Sequence, residues 1–417
     1  MWERHSCRDL LTVAAVWDRR LRLFYFNEFV ALTFREKLPV MSAPKHLKAS
    51  LYSRQGLYAG LTAFSELEQR IAALPDEQSR GDAFEVFAEA YLATQPTHRA
   101  REVWPDKAIE PSLRDQLCLY VRDVGADGIM QTNTGEYHGY QVKFRSNRTP
   151  LTWEETSTFF GVTDRCNQRF LFTNSDDISA VSEQRKDFYS IRGNDLDRLE
   201  VSDFEAIQTW LTGAEVVRER KTPKQHQQEA LDEIMPAIEK RDRVTAVMAC
   251  GSGKTLVALW TTERLGSSKV LVLLPSLALL RQTLHEWLRE TSWKRVAFLC
   301  VCSDPTVSTE LDALQTQPSE LDFPVSTNSG AVRQFLDAPF DGVKLVFSTY
   351  QSAKNVAEHR VQARQTPPRP ATPARINRLR LECYRASQFN AEASHYQSGA
   401  RRDRRHTESS VNLMMYR

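Results

Sequence analysis

The chain has 417 residues, 41% of them hydrophobic and 26% charged, with a formal net charge of +2; that length holds two or three domains, and the composition belongs to a globular protein. The near-neutral balance confines any basic nucleic-acid surface to a local patch. Seven scattered cysteines without a C-x-x-C pair exclude a disulfide framework and a zinc ribbon, and the longest apolar run, Val270 to Leu280, is interrupted by Pro275 and too short to span a bilayer, so a cytoplasmic protein with no membrane partner is expected.

Residues 1–45 read as a poorly defined extension in which Leu21 to Phe29 fits a strand or a short helix. From Thr62 to Ala73 apolar residues recur at helical spacing. Pro75 to Gly81 reads as a loop, and Asp82 to Leu92 as a helix with Phe84, Phe87, Ala88 and Tyr91 on its apolar face and Glu85 at the border of that face.

The segment from Asp123 to Phe144 holds two extended runs around the turn signal Asn133-Thr-Gly135. Folded as an antiparallel hairpin about Gly135, it sets Asp127 opposite Lys143 and Ile129 opposite Gln141, with Gln141 and Lys143 on one face. A carboxylate, an amide oxygen and an ammonium gathered in this way suit phosphodiester hydrolysis. The two oxygens hold magnesium, the metal lowers the pKa of bound water, and the lysine orients that water or stabilises developing charge. The same residues also fit a hairpin whose polar face meets water.

G-A-D-G-I followed by Y-Q-V-K resembles the core of the Mrr-like branch of the PD-(D/E)xK nucleases, in which glutamine often takes the middle acidic position, as Gln141 does here. The resemblance implies a restriction-endonuclease-like α/β domain over 46–212 that acts on double-stranded DNA with magnesium. It also implies that Glu85, in G-D-A-F-E-V-F, completes the catalytic and metal-binding set of Asp127, Gln141 and Lys143. Arg145 and Arg148 follow directly and can reach DNA phosphates. Thr152 to Glu155 and Ser202 to Glu205 have the form of capping boxes, Arg169 to Asn174 reads as a core strand, and the charged stretch 213–223 reads as a linker.

Beyond the linker, Arg243 to Val247 is a short β-branched run, Met248-Ala-Cys-Gly-Ser-Gly-Lys-Thr255 a glycine loop, and Leu256 to Leu265 a helical stretch stopped by Gly266. Strand, glycine loop and helix make a phosphate-binding loop. Gly251 and Gly253 let the backbone turn its N–H groups around a polyphosphate together with Ser252, Lys254 adds a point charge, and the Thr255 hydroxyl can ligate magnesium. Lys269 to Leu274, Val296 to Val301 and Val343 to Thr349 are further buried strands, so a parallel α/β sheet is expected over 224–360.

Several stretches here resemble superfamily 2 helicases. Gln227 matches the adenine-reading glutamine ahead of the loop, with Gln225 and Gln228 near enough to leave the choice open. Ser276, Arg281 and Gln282 fall in a stretch like motif Ia, and Thr349 and Gln351 in S-T-Y-Q-S, both of which touch DNA in that group. In order, these motifs resemble restriction proteins that fuse an Mrr-like nuclease to a superfamily 2 motor, over residues 46 to 360. The resemblance implies ATP and double-stranded DNA as ligands and a RecA-like lobe. No D-E-A-H stretch follows Ser352, so the lobe is expected to be incomplete, with ATP bound weakly at best and its hydrolysis and translocation lost. Residues 361–417, with eleven arginines from Arg364 to Arg417 and no lysine, read as a basic, disordered tail unrelated to the preceding domain. Two other readings remain: a helicase-like ATP- and DNA-binding protein without cleavage, and an inactive truncated product.

Overall fold

The structure, a computed structural model, describes residues 43–98, 100–119, 125–185, 187–216, 218–241, 243–249, 251–302, 321–326 and 329–353, together with the strand backbones 12–14 and 410–416. Residues 1–11 and 15–42 of the expected extension, and 361–409 of the expected tail, lie outside the described residues. In chain order the elements are β1 (Thr12–Ala14), α1 (Ala49–Arg54), α2 (Phe64–Ala72), α3 (Glu77–Thr94), β2 (Glu102–Pro105), α4 (Pro111–Leu117), β3 (Gly128–Gln131), β4 (Tyr137–Lys143), α5 (Trp153–Val162), β5 (Gln168–Thr173), α6 (Ala180–Glu183), β6 (Phe188–Ile191), α7 (Gly193–Leu196) and α8 (Val201–Leu211). They continue with α9 (Gln225–Lys240), β7 (Arg243–Ala249), α10 (Lys254–Arg264), β8 (Lys269–Leu274), α11 (Leu277–Glu290), β9 (Val296–Val301), β10 (Val325–Ser326), α12 (Ser329–Asp337), β11 (Val343–Thr349) and β12 (Ser410–Tyr416). The chain divides into two compact units, one of residues 26–220 with 317–324, the other of 221–316 and 325–417 with 1–25.

In the first unit a five-stranded sheet runs β2-β3-β4-β5-β6, antiparallel through β4 and parallel from β4 to β6. Helix α3 lies on one face because its aromatic stripe has no other way out of water. Phe84 and Phe87 are fully buried and pack on Phe64 and Phe172. The expected loop Pro75 to Gly81 is a correction: Asp76 accepts the Ser79 N–H at 2.7 Å and starts the helix at Glu77, since a carboxylate here satisfies an otherwise orphan N–H. The last capping box also starts earlier, on Glu200 and Asp203 rather than Ser202 and Glu205, while the box of Thr152 and Glu155 opens α5.

The hairpin register differs from the expectation as well. Gly128 pairs with Tyr140 and Ile129 with Gly139, which carries Asp127 toward Gln141 rather than Lys143. The turn is centred on Thr134: Thr132 N–H donates to Glu136 O at 2.9 Å and Gly135 N–H to Thr132 O at 3.0 Å. Gly135, at φ +90°, closes a three-residue loop rather than standing at its middle, a position where its left-handed backbone is needed.

In the second unit β10, β9, β11 and β8 form a parallel block. Most of their apolar positions are buried, with Val272, Cys300, Leu345 and Phe347 fully so. Strand β7 runs in the same sense as β8 but is separated from it by β1 and β12, each antiparallel to its outer neighbour. The expectation of disorder for 361–417 is therefore corrected for Ser410 to Tyr416, where an apolar seven-residue run pairs along the whole of β7. Lys344 is buried, and its ammonium donates to the carbonyls of Phe335, Leu336 and Ala338. It thus closes the C-terminus of α12, where unpaired carbonyls and the helix dipole favour a cation.

Candidate functional site

Two constellations were expected, one in each unit. In the first, Gln141 stands between Tyr140 and Val142, which join the core with α3. Alternation turns Gly139, Gln141 and Lys143 to the other face, where a Cβ on Gly139 would come within 2.8 Å of Thr163 just past α5. Asp127 leaves the ladder at this point. Its N–H donates to Tyr140 O at 2.9 Å, and one carboxylate oxygen accepts the Val142 N–H at 2.6 Å. The side chain thus replaces a backbone acceptor as β3 and β4 part. Gln141 is 2% exposed, and its Oε1 has no partner among the described residues, a costly state for a buried acceptor. Gly128 is required: a Cβ there would lie 2.2 Å from Tyr140 Oη.

Asp127 and Gln141 are brought together, with Lys143 half-buried two residues further along the same face. Glu85 comes from α3, on the Tyr140 side, and its Oε2 is 3.3 Å from His46 Nε2. The Tyr140 phenol is pushed well above its ordinary value, first by burial and then by the charges of Glu89, Glu85 and Asp127, so Glu85 and Asp127 both act on this hydroxyl. Sequence reasoning missed Tyr140, which reads as a core residue at its alternating position.

The two arginines are engaged within the unit. Arg145 pairs with Glu155. Arg148 donates to Glu68 at 2.6 Å and to Asp197 at 2.7 Å and lies 3.5 Å from Asp176; its hydrogen bonds to Asp197 and then to Glu68 hold its pKa above the ordinary guanidinium value. The guanidinium of Arg148, expected to reach DNA phosphates, pairs here with carboxylates drawn from α2 and the α7 region, a set that sequence separation concealed.

In the second unit Gly251 and Gly253 have φ of +75° and +80°, the left-handed region that glycine tolerates, and α10 begins at Lys254. Lys254 Nζ donates to Ala249 O at 2.8 Å and Met248 O at 3.4 Å, which turns the ammonium into the loop. Gln227 is buried; its Oε1 accepts the Lys224 N–H at 2.9 Å and its Nε2 donates to Ser252 O at 2.9 Å. His226 Nε2 also lies 3.2 Å from Ser252 O. Trp287 Nε1 donates to Thr255 O at 2.9 Å and ties α11 to the start of α10. Cys250 lies outside the described residues.

Among the residues expected to touch DNA, Ser276 caps α11 by accepting the Leu279 N–H. Arg281 is buried, while Gln282 and Gln351 are exposed. Thr349 is buried with its hydroxyl 3.0 Å from Ser352 Oγ. No described helix is long and apolar enough to cross a membrane.

Residues 220–368 match the family model described as "Type III restriction enzyme, res subunit". A comparison with curated proteins finds no match. Among solved structures the chain is similar to the ATP-dependent Type ISP restriction-modification enzyme LlaBIII bound to DNA, with 23% identity and a TM-score of 0.56 over 72% of this chain and 19% of that one. It is also similar to a nuclease-deletion mutant of the Type ISP restriction-modification enzyme LlaGI in complex with a DNA substrate mimic, with 29% identity and a TM-score of 0.28 over 36% of this chain and 14% of that one. The chain thus spans about a fifth of the LlaBIII chain or less. The likeness to LlaBIII is one of fold. Its aligned share of this chain is larger than residues 220–368 can supply, so it reaches into the first unit.

Proposed function

We propose that the chain is part of an ATP-dependent restriction-type protein: the first unit, restriction-endonuclease-like, cleaves double-stranded DNA with magnesium, and the second, a RecA-like lobe, binds ATP and DNA. The observation that carries the cleavage reading is the buried Gln141 Oε1, unpartnered among the described residues beside the Asp127 carboxylate. Two hard oxygen donors at a point where strands part fit a magnesium ion. When bound, magnesium lowers the pKa of a water and offsets charge on the phosphate. Asp127 and Gln141 hold the cation, the Val142 N–H fixes the Asp127 carboxylate, and Lys143, on the same face, neutralises charge that develops on the phosphate oxygens.

In the second unit, the backbone N–H groups at 251–255 and the Lys254 ammonium grip a triphosphate once Lys254 leaves the carbonyls of Met248 and Ala249. Thr255 supplies a hydroxyl for magnesium, and Gln227 faces the loop from α9. The likeness in fold to an ATP-dependent restriction-modification enzyme bound to DNA, together with the family match over 220–368, supports ATP and DNA as ligands.

The test is nicking of supercoiled plasmid by the full chain with magnesium, alongside Asp127→Ala, Gln141→Leu and Lys143→Ala. Cleavage by wild type and loss in each variant is expected; equal cleavage by all four proteins assigns it to a contaminating nuclease and sinks the proposal. A second reading, ATP and DNA binding without cleavage, is favoured by the family match lying over 220–368. Retained binding of ATP and DNA with no cleavage under any divalent metal selects it.

A further inference from the structure

The geometry points to a second cation site in the first unit, formed by His46, Asp82 and Glu85 and suited to a first-row divalent metal such as Mn²⁺ or Zn²⁺. One ligand atom from each of the three residues lies within 4.8 Å of the other two. Asp82 and Glu85 are three apart on α3 and so share a face of a rigid helix; Asp82 is 6% exposed. His46 is brought to them by backbone contacts. Its N–H donates to Glu89 Oε2 at 3.1 Å and the Lys45 N–H to Glu89 Oε1 at 2.7 Å. Glu89 is itself buried and, through burial, prefers its proton more than an ordinary glutamate does. A buried carboxylate is thus spent on holding one short segment beside α3, the kind of support that metal ligands receive.

The donor set decides the class of metal. One imidazole with two carboxylates suits Mn²⁺, Zn²⁺ or Fe²⁺ better than magnesium, which favours oxygen donors alone. Glu85, 30% exposed at its side chain, leaves coordination positions open to water. Three present contacts must give way. Lys48 places its ammonium on Asp82, and with its side chain 43% exposed it can swing into solvent. His46 Nδ1 accepts the Lys48 N–H at 3.3 Å, so the neutral ring carries its proton on Nε2, facing Glu85. Ligation through Nε2 moves that proton to Nδ1 and gives up two long hydrogen bonds, one to Glu85 Oε2 at 3.3 Å and one from the Lys48 N–H. Glu85 is the residue this site shares with the expected set of Asp127, Gln141 and Lys143, and His46 and Asp82 distinguish the two.

The experiment is titration of the metal-free full chain with Mn²⁺, without nucleotide, followed by calorimetry and by pulsed electron paramagnetic resonance for ¹⁴N coupling from imidazole. One ¹⁴N-coupled equivalent is expected in wild type, counted apart from any Mn²⁺ held by oxygen alone at Asp127 and Gln141, and that coupled equivalent persists in Asp127→Ala. His46→Gln loses the nitrogen coupling, and both it and Asp82→Asn weaken binding by at least about tenfold. Wild-type protein that binds no Mn²⁺ or shows no ¹⁴N coupling overturns the site, whatever the folding of the variants. So does nitrogen coupling that persists in a folded His46→Gln protein, or that disappears in Asp127→Ala.

Discussion

Gly253→Ala and Gln227→Ala together test how the phosphate loop is held. A Cβ on Gly253 would lie 2.3 Å from Gln227 Nε2, so the alanine must push away the amide that donates to Ser252 O. The single substitution adds about 1 kcal/mol of left-handed strain and about 1 kcal/mol for the displaced hydrogen bond, which is about a 30-fold loss in local protection. Gln227→Ala removes two hydrogen bonds, to Ser252 O and from Lys224 N, worth about 2 kcal/mol together. The double variant counts the Ser252 bond once, so it costs about 3 kcal/mol rather than about 4, a coupling of about 1 kcal/mol or fivefold. Hydrogen–deuterium exchange on peptides covering 251–265 reads these local opening energies. Losses that simply add would refute the claim that Gln227 is displaced by the methyl group, and with it the claim that this amide shapes the loop.

Arg148→Met is expected to destabilise the first unit by about 3 kcal/mol, because it leaves Glu68 and Asp197 without their cation; thermal unfolding of this variant checks it, and an unchanged midpoint contradicts it. Gly128→Ala forces Tyr140 from its place and should lower stability by about 2 kcal/mol or more, together with loss of the tyrosine's near-ultraviolet circular dichroism. Glu286 has its pKa raised above the ordinary value of 4.5, first by burial and with a smaller contribution from Glu290, against the lowering effect of Lys221. A folded-state value above the unfolded one contributes stability that is complete below pH 4.5 and is lost as pH rises through the raised value. Urea unfolding of wild type should therefore show a decline above pH 4.5 that Glu286→Gln removes; identical pH profiles would contradict the assignment.

The elements that depend on neighbours in sequence were legible without coordinates. G-S-G-K-T between a β-branched run and an apolar helix leaves little choice but a phosphate-type loop, because Gly251 and Gly253 alone accept the left-handed backbone that turns it. Thr152 and Glu155 opened α5 as expected, since a capping box is a contact within one turn. Asp76 and Glu200 were overlooked as caps for a plain reason: aspartate and glutamate are also ordinary loop residues, and only the N–H they meet distinguishes the two.

Register and partnership were decided elsewhere. Whether the hairpin folds about Thr134 or Gly135 is a difference of one residue in the turn, yet it exchanges Lys143 for Gln141 as the neighbour of Asp127. Arg148 reads as an exposed base until Glu68, 80 positions earlier, and Asp197 arrive beside it. His46 and Glu85 lie 39 residues apart, and nothing local joins them. Residue order by itself determined which backbone conformations and which chemical groups were available, since those follow from side-chain type and short-range sterics. Which groups meet, and which are left buried with no partner among the described residues as the Gln141 oxygen is, was decided only by tertiary packing, because apolar burial sets the positions of whole helices and strands and their polar side chains must pair with whatever that packing brings near.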